Sequence, residues 1–301
     1  MALGIARTLK LIFLLLVLAI VISFHSCMSF RMSDREVDDY FKQRNVDATQ
    51  HTYDAHSREI HYVSAGDSTQ ALVLFVHGSP GSLSAFIHFL ADTSLLRKGL
   101  LITTDRPGFG YSNFGRGVGS LKEQAAILKP ILEKYKRNRP AVLIGHSLGG
   151  PLIARMAMDY PDLVDGLIIV AGSIDPALEP NEVWFRAPLA TPFLSWLLPR
   201  SLRASNEEIY HLKPELEEML PRWPEIHCPV IVIQGKKDSL VPAENAEFAR
   251  RKLVNAPVEF VFKEDMDHFV PWSNPELIHD AILHMITETL PAAHSANSKR
   301  R

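Results

Sequence analysis

Six short runs of valine, isoleucine and leucine, each bounded by turn residues, constrain the fold of this chain more than any other feature. Stretches with helical spacing separate them, such as 121–136 and 275–290, and a further stretch, 59–65, alternates like a strand. Such apolar runs are typical of strands buried on both faces, and their alternation with helices predicts an α/β fold with a mostly parallel sheet. The six runs are 71–76, 100–104, 141–144, 167–170, 230–233 and 258–262.

One interval, about 173–225, interrupts this alternation. It lacks a strand pattern and is rich in prolines and apolar helical fragments. An insertion of this size between two core strands predicts a helical cap over the edge of the sheet. The alternative is a second small domain unrelated to the active site. We expect the aromatic residues of the cap to contact a substrate, and these are Trp184, Phe185, Phe193 and Trp196.

The amino terminus carries an apolar stretch, 11–24, which follows Arg7 and Lys10. A short basic region before an apolar one is typical of a secretory signal or a signal-anchor. Residues 1–30 therefore predict association with a membrane, with the catalytic domain on the extracytoplasmic side of the cell envelope. Ser26-Cys27 resembles the end of a bacterial lipobox, in which the cysteine is lipidated. The alternatives are an uncleaved anchor and ordinary signal cleavage near Ser29.

The remaining residues divide into three parts. A capping box, Ser33 to Glu36, opens a short helix and predicts a helical linker over 31–52. The main α/β domain is expected over 53–291, and 292–301 form a polar basic tail. The sequence leaves the oligomeric state open.

Charge and cysteine usage exclude several classes of protein. There are 32 Lys and Arg against 34 Asp and Glu, a formal net charge of −2, which argues against a nucleic-acid-binding protein. The chain has 2 cysteines, and no Cys/His cluster has the spacing of zinc ligands. We therefore expect no metal and no organic cofactor.

A G-x-S-x-G pentapeptide, 145–149, lies between the predicted strand 141–144 and a helical pattern. This strand–turn–helix context is the one in which the motif presents a nucleophile. The turn is tight, so side chains at Gly145 and Gly149 would clash. Ser147 would stand at the start of a helix, whose dipole favours a developing negative charge.

A serine hydroxyl needs a base, and the base needs an orienting acid. In the chain order expected for this motif the acid and then the histidine follow the serine. Asp238 follows the predicted strand 230–233, and His268 follows 258–262. Carboxyl ends of parallel strands are where ligands bind in such sheets. The sequence thus predicts a catalytic triad of Ser147, Asp238 and His268.

Other acids and histidines lie near these positions in the sequence. Asp175 also follows a strand and is an alternative orienting acid. Asp265 and Asp267 lie so close to His268 along the chain that we expect them to shape its loop. His146 is expected to pack in the sheet or line the pocket rather than to act as the base.

An oxyanion hole needs two backbone N–H groups aimed at the developing charge. One should be the amide of Leu148, directly after the nucleophile. The other should come from the segment 77–82, HGSPGS, which follows the first predicted core strand. Its glycines free the backbone, and the Ser79 amide is the candidate donor. The alternative is a plain Gly/Pro turn.

These motifs together resemble the α/β-hydrolase superfamily, over residues 53–290, about four fifths of the chain. The resemblance rests on HGSPGS (77–82), DRPGFGYS (105–112), GHSLGG (145–150), GKKDSLVP (235–242) and DHF (267–269). It implies an eight-stranded sheet with helices on both faces and a helical cap after the sixth strand. It also implies that Asp105, Gly108 and Gly110 form a structural turn. Ser147 argues against the family's epoxide hydrolases and haloalkane dehalogenases, which use aspartate there.

The function implied is that of an esterase or lipase-like serine hydrolase, acting on a small-molecule carboxylic ester with a hydrophobic acyl or aromatic part. Cleavage of an amide, a thioester or a carbon–carbon bond by the same triad remains an alternative. A hydrolase fold retained as a non-catalytic binding protein is the rival from a different class. Loss of a triad residue would indicate that rival, and the sequence retains all three.

Overall fold

The computed structural model describes residues 28–291, together with residues 10, 12, 13, 15 and 16. Most of the apolar stretch 11–24, Cys27 and the tail 292–301 lie outside the described residues, so the expectations for them stay predictions. Within the part of the chain that is described, no helix is long and apolar enough to cross a membrane.

Eight strands form one sheet in the order β1-β2-β4-β3-β5-β6-β7-β8. β2 pairs antiparallel with β1 and with β4, and every other pairing is parallel. The predicted α/β fold with a mostly parallel eight-stranded sheet is confirmed. The strands are β1 Ala48–Ala55, β2 Arg58–Gly66, β3 Ala71–Val76, β4 Gly99–Thr104, β5 Ala141–His146, β6 Gly166–Val170, β7 Val230–Gly235 and β8 Val258–Lys263.

Helices cover both faces of the sheet. The central strands β3 to β7 are therefore almost wholly buried. One apolar core contains Leu128, Leu152 and Phe248, and the other contains Phe41 and Ile282. The helices are α1 Asp34–Gln43, α2 Thr93–Leu96, α3 Leu121–Tyr135, α4 Gly149–Asp159, α5 Val183–Ala190, α6 Arg200–Met219, α7 Glu244–Lys252, α8 Val270–Ser273 and α9 Pro275–His284.

The amino-terminal boundary of the sheet differs from the prediction. β1 begins at Ala48, inside the segment 31–52 that was expected to be a helical linker. α1 has the predicted capping box at Ser33, but it also buries Val37 and Phe41 against the sheet. Linker and domain are therefore one packed unit here. β1 contains no apolar run, because it is an edge strand whose residues are all half-buried or exposed.

The helical insertion between β6 and β7 contains α5, a short 3-10 turn at Ser195–Leu197 and the long helix α6. Leu212 and Leu216 of α6 are buried in the main core. Leu178 and Ile209 border a pocket that Ser147 also lines. The insertion therefore covers the carboxyl edge of the sheet, in the position expected of a cap and not of an unrelated domain.

Candidate active site

The turn between β5 and α4 presents Ser147 in a strained backbone conformation. Its φ is 54°, in the left-handed region that costs a non-glycine residue about 1–3 kcal/mol. The Ser147 N–H donates to the Val170 carbonyl at 2.9 Å, which helps to hold this conformation. A Cβ on Gly145 would lie 2.2 Å from the Gly149 carbonyl oxygen, and one on Gly149 would lie 2.3 Å from that of Val76. Both flanking positions therefore require glycine.

His268, after β8, meets Asp238, after β7. The His268 Nδ1 atom lies 2.8 Å from Asp238 Oδ2. The other carboxylate oxygen accepts hydrogen bonds from the N–H groups of Leu240, at 2.9 Å, and Val241, at 2.7 Å. Because an ionised carboxylate can only accept, Nδ1 carries the proton in this bond. The other ring nitrogen, Nε2, is then the basic one.

The carboxylate of Asp238 is stabilised in its ionised form. Burial by itself would raise the pKa of this group. The hydrogen bond with His268 and those from Val241 and Leu240 outweigh burial, so that the pKa of Asp238 lies below its ordinary value. Asp238 is therefore ionised at neutral pH and able to orient the imidazole.

Ser147 and His268 both line each of the two chambers described below. Within residues 28–291 no hydrogen bond joins the Ser147 hydroxyl to the His268 ring. Such bonds are often long before substrate binds, so the shared pocket is the informative observation. The structure thus brings the three predicted residues together, two by a direct bond and the third through the pocket wall.

The two predicted oxyanion donors flank this site. Leu148 is the N-cap residue of α4, where helical amides lack intrahelical partners. Ser79 lines both chambers, and a Cβ on its neighbour Gly78 would lie 2.9 Å from the Ser147 Cβ. Neither the Ser79 N–H nor the Leu148 N–H donates a hydrogen bond to another described residue. Both amides remain available to a bound oxyanion.

A fully buried arginine holds the segment that carries Ser79. Arg106 donates from Nε to the His77 carbonyl, at 2.8 Å, and from Nη2 to the Gly78 carbonyl, at 2.9 Å. Its Nη1 atom lies 2.6 Å from Glu208 Oε2, on α6 of the insertion. Removing one partner of a buried ion pair costs about 3–5 kcal/mol. Arg106 therefore ties the oxyanion segment and the insertion into one rigid unit.

His146 packs beneath the candidate base. Its Nε2 atom donates to the His268 carbonyl at 2.9 Å, and it lines the larger chamber. Burial, and then the proximity of His268, lower the pKa of His146 to about 4. A neutral histidine fixed in this way positions the His268 backbone, as expected for a packing role and not for a base.

The larger chamber has a volume of about 620 Å³. Arg31 contributes a cation to its wall. The guanidinium stacks on the rings of Tyr111 and Phe114, and it donates to the Gly110 carbonyl at 2.7 Å. This charge is therefore already engaged. The apolar lining residues are Phe30, Met32, Ala85, Leu240, Phe269 and Trp272.

The smaller chamber has a volume of about 230 Å³ and lies under the insertion. Its wall is mixed. Leu178 and Ile209 are apolar, whereas Ser173, Glu179 and Arg186 bring polar groups to the cavity. The two chambers meet at four shared residues, which are Ser79, Ser147, Leu240 and His268.

The four cap aromatics expected to contact substrate line neither chamber. Trp184, Phe193 and Trp196 are 80%, 85% and 63% exposed. Phe185 is half-buried and packs edge-on against Trp184. These side chains point outward because α6 supplies the inner face of the insertion. Phe269 and Trp272, beside the candidate base, take the place that was expected for them.

The competing acids lie elsewhere. Asp175 accepts the N–H of Ala177 at 2.9 Å and lies 3.7 Å from Arg251, away from His268. Asp267 accepts the N–H of Phe269 at 2.9 Å, which agrees with a role in shaping the loop. Among the residues that the structure describes, no group of three or more His, Cys, Asp or Glu side chains could hold a metal ion.

Comparison with known proteins agrees with this geometry. A family model described as the alpha/beta hydrolase fold matches residues 71–193. Over this region the chain is similar to the α/β-hydrolase superfamily. Mouse protein ABHD8 is 27% identical over 252 residues, covering 72% of this chain and 56% of the mouse protein. The chain thus spans little more than half the length of that relative.

Two further similar proteins are informative. The 2-hydroxy-6-oxononadienedioate/2-hydroxy-6-oxononatrienedioate hydrolase of Paraburkholderia phymatum is 25% identical over 261 residues, covering 74% of this chain and 89% of that protein. The solved structure of a membrane phospholipase A, described as a bacterial virulence factor, superposes on this chain with a TM-score of 0.62 at 19% identity. The superposition covers 94% of this chain and 99% of that one. The latter likeness concerns the fold alone.

Sequence reasoning missed several residues of the site. Arg106 stands within the DRPGFGYS motif, whose interpretation as a structural turn had not included its side chain. Glu208 carried no signal, since a glutamate on a helix is usually exposed. Phe269 and Trp272 could have been found from their place beside His268. Glu179 could not, because its nearness to Ser147 arises only from the folded insertion.

Proposed function

We propose that this protein is a serine hydrolase that cleaves carboxylic esters with a hydrophobic acyl or aromatic part, through an acyl-enzyme. The observation that carries the proposal is the hydrogen-bonded pair of His268 and Asp238, placed in the same pocket as a strained Ser147. Nucleophile, base and orienting acid of this kind are the groups that acyl transfer requires.

In the first half of the reaction, the Ser147 hydroxyl attacks the ester carbonyl and His268 Nε2 takes its proton. The Oγ–C bond forms as the carbonyl oxygen becomes an oxyanion. The amides of Ser79 and Leu148 stabilise that charge, an effect of about 3–4 kcal/mol for one donor. His268 then gives the proton to the alcohol oxygen, and the C–O bond of the ester breaks.

In the second half, water replaces the alcohol. His268 takes a proton from the water as its oxygen attacks the acyl carbon, and it returns that proton to Ser147 as the Oγ–C bond breaks. A carboxylic acid and the free hydroxyl result. Asp238 stays ionised throughout and stabilises the imidazolium that forms in each half.

The larger chamber supports the choice of a hydrophobic substrate. Its apolar side chains, Trp272 and Phe269 among them, would bury a hydrocarbon chain, at about 0.8 kcal/mol for each methylene removed from water. At about 30 Å³ for each water molecule, its volume of about 620 Å³ would hold roughly twenty waters or a similar number of ligand atoms.

Carbon–carbon cleavage is the second candidate, favoured by the likeness to the Paraburkholderia hydrolase. The substrate in that enzyme's name is a dicarboxylate, which needs free cations. The two arginines that line the chambers here are engaged, Arg31 on aromatic rings and Arg186 with Glu182. This supports the ester over the dicarboxylate.

We also propose that residues 1–30 hold the protein at a membrane, with the domain outside the cytoplasm. The support is the basic-then-apolar pattern of 11–24 after Arg7 and Lys10. The carbonyl of Met28 accepts a hydrogen bond from Ser201 of α6, so this segment joins the domain beside the insertion. Cell fractionation should recover the full-length protein with membranes; recovery in the soluble fraction would contradict the proposal.

The ester proposal is tested by measuring turnover of nitrophenyl esters, from acetyl to palmitoyl, with the full-length protein in detergent. Ser147→Ala should lower kcat by about 10⁴–10⁶-fold. Ser57→Ala is a matched control, because Ser57 is an exposed serine that also has a positive φ, of 59°. It should turn over esters like the wild type.

A folded wild type that is no faster than Ser147→Ala on every ester would refute ester hydrolysis. Turnover of a vinylogous diketone by that same protein would then identify the carbon–carbon hydrolase. No turnover of either substrate would leave the non-catalytic binding protein.

A further inference from the structure

Two chambers of unequal size meet at the nucleophile. One is about 620 Å³ and the other about 230 Å³, and both are bordered by Ser147 and His268. An ester has two arms that diverge from its carbonyl carbon. When that carbon is at Ser147, the acyl arm and the alcohol arm have to leave in different directions. The structure offers one chamber to each arm.

The smaller chamber has a polar wall, and Ser173 of this wall contacts the nucleophile Ser147 directly. The Ser173 N–H donates to the Ser147 carbonyl at 3.4 Å, and the Ser173 hydroxyl donates to Glu179 Oε1. Both Ser173 and Glu179 line the chamber. A carboxyl group is thus placed beside the position of a bound alcohol, and no hydrogen bond from a described residue occupies its second oxygen, Oε2.

The charges around this wall compensate one another once Lys213 is included. Arg186 Nε donates to Glu182 Oε2 at 2.6 Å, so these two side chains neutralise each other. Burial raises the pKa of Glu179, against the hydrogen bond with Ser173 and the nearby Lys213, which both lower it. Two carboxylates and two cations offer hydrogen bonds without a large net charge, which suits hydroxyl groups better than a cation or an anion.

The size of the smaller chamber suits a short alcohol. At about 30 Å³ for each water molecule, it would hold roughly seven or eight waters, so a three-carbon polyol fits this space. The greater volume and apolar lining of the other chamber suit a long hydrocarbon chain.

We propose that the smaller chamber binds the alcohol arm of the ester, that this alcohol is a short uncharged polyol, and that Glu179 selects it by a hydrogen bond to a hydroxyl group. The proposal rests on the ester hydrolase function above and specifies its substrate class. Glu179 acts here on specificity and takes no part in proton transfer.

Three esters with the same acyl chain test the proposal: methyl decanoate, 1-monodecanoylglycerol and decanoylcholine. All three form one decanoyl-enzyme, so their kcat/KM values differ only through binding and acylation, the steps in which the alcohol arm takes part. The full-length wild type should favour the glycerol ester over the methyl ester by at least about tenfold, the range of one hydrogen bond to a buried group. Glu179→Leu should bring that ratio close to one, because the hydroxyl group of the glycerol arm loses its hydrogen-bond partner.

Two further variants separate selection from folding. Glu179→Gln keeps a hydrogen-bonding group and should retain most of the preference for the glycerol ester. Glu217→Leu makes the same change at an exposed glutamate of α6 and should leave the ratio unchanged.

Equal turnover of the glycerol and methyl esters by the wild type would overturn the polyol assignment, and a preference for decanoylcholine would do so as well. A uniform loss on all three esters in Glu179→Leu would make Glu179 structural, and would refute its role in selection. If the folded wild type hydrolyses no ester, the ester function itself fails, and this proposal with it.

Discussion

The described part of the chain contains two buried His–Asp pairs whose hydrogen bonds join the same atoms at nearly the same distance. His268 Nδ1 lies 2.8 Å from Asp238 Oδ2, and His61 Nδ1 lies 2.9 Å from Asp105 Oδ2. In both pairs the aspartate directly follows a strand or lies in the loop after it. Judged by this bond alone, either pair could serve as the base of a serine hydrolase.

The pairs differ in what surrounds the second ring nitrogen. His61 Nε2 is engaged by Gln50 Oε1 at 3.2 Å, and His61 lines neither chamber. His268, in contrast, lines both chambers with Ser147. The comparison shows that a His–Asp bond does not by itself make a base. The free nitrogen has to face a nucleophile.

The two aspartates differ in a similar way. Asp105 accepts the N–H of Leu83 at 2.8 Å and that of Tyr111 at 2.9 Å, so it ties two separate loops together. Gly110 contacts it so closely that a Cβ there would lie 2.0 Å from the carboxylate. Among the residues described, the donors to Asp238 are N–H groups of its own loop, the Gln234 amide and His268. The His61–Asp105 pair stabilises the fold, whereas the loop of Asp238 positions the His268–Asp238 pair at the pocket.

The largest expected contrast comes from matched substitutions of these aspartates. Asp238→Asn should lower kcat for esters by about 10³–10⁴-fold, because the imidazole loses its orienting charge and its correct tautomer. Asp105→Asn should lower the free energy of unfolding by about 1–3 kcal/mol, because a buried amide is left without an acceptor. Ester kinetics and urea unfolding, measured on both variants, check the pair.

The comparison fails if the effects are exchanged. Suppose that Asp105→Asn is folded with kcat reduced a thousandfold, while Asp238→Asn remains active. That result would make His61 the base and give His268 a structural role.

A smaller effect is expected at His146, a histidine without a carboxylate partner. Burial holds its pKa at about 4, below the ordinary value of 6.5. Between these values the unfolded chain binds a proton that the folded protein does not, so stability falls as the pH falls. From pH 7 to pH 5 this contributes a loss of about 2 kcal/mol in the free energy of unfolding.

Urea unfolding at both pH values should show a loss smaller by about 2 kcal/mol in His146→Gln than in the wild type. If the free energy of unfolding depended on pH equally in the two proteins, burial would not lower the pKa of His146 in the folded protein. The neutral packing role assigned to His146 would then be wrong.

The sequence predicts the central strands because β3 to β7 are buried on both faces, so their residues form unbroken apolar runs. It predicts Ser147 for a related reason, since backbone contacts require both flanking glycines, Gly145 against Gly149 and Gly149 against Val76. β1 was missed because its polar residues lie at an edge, where burial leaves no pattern.

The substrate-binding residues were harder to predict because chambers are built by residues that are distant along the chain. The larger chamber draws on Phe30 before α1 and Trp272 after β8, which no local pattern connects. The sequence shows that the insertion is rich in aromatic residues, but not which way their side chains point. Trp184 and Phe193 face outward. Arg106 and Glu208 show the same limit, because their pairing exists only once the insertion has folded.

The most direct test of the central claim is covalent labelling of the full-length protein by a fluorophosphonate, with the modified peptide mapped by mass spectrometry. An activated nucleophile at Ser147 predicts one phosphonyl group on that residue in the wild type. Ser147→Ala should remain unlabelled, and His268→Ala should react at a small fraction of the wild-type rate, whereas His61→Ala should react at the wild-type rate. Labelling at another serine, or a rate at Ser147 that does not depend on His268, would contradict the account.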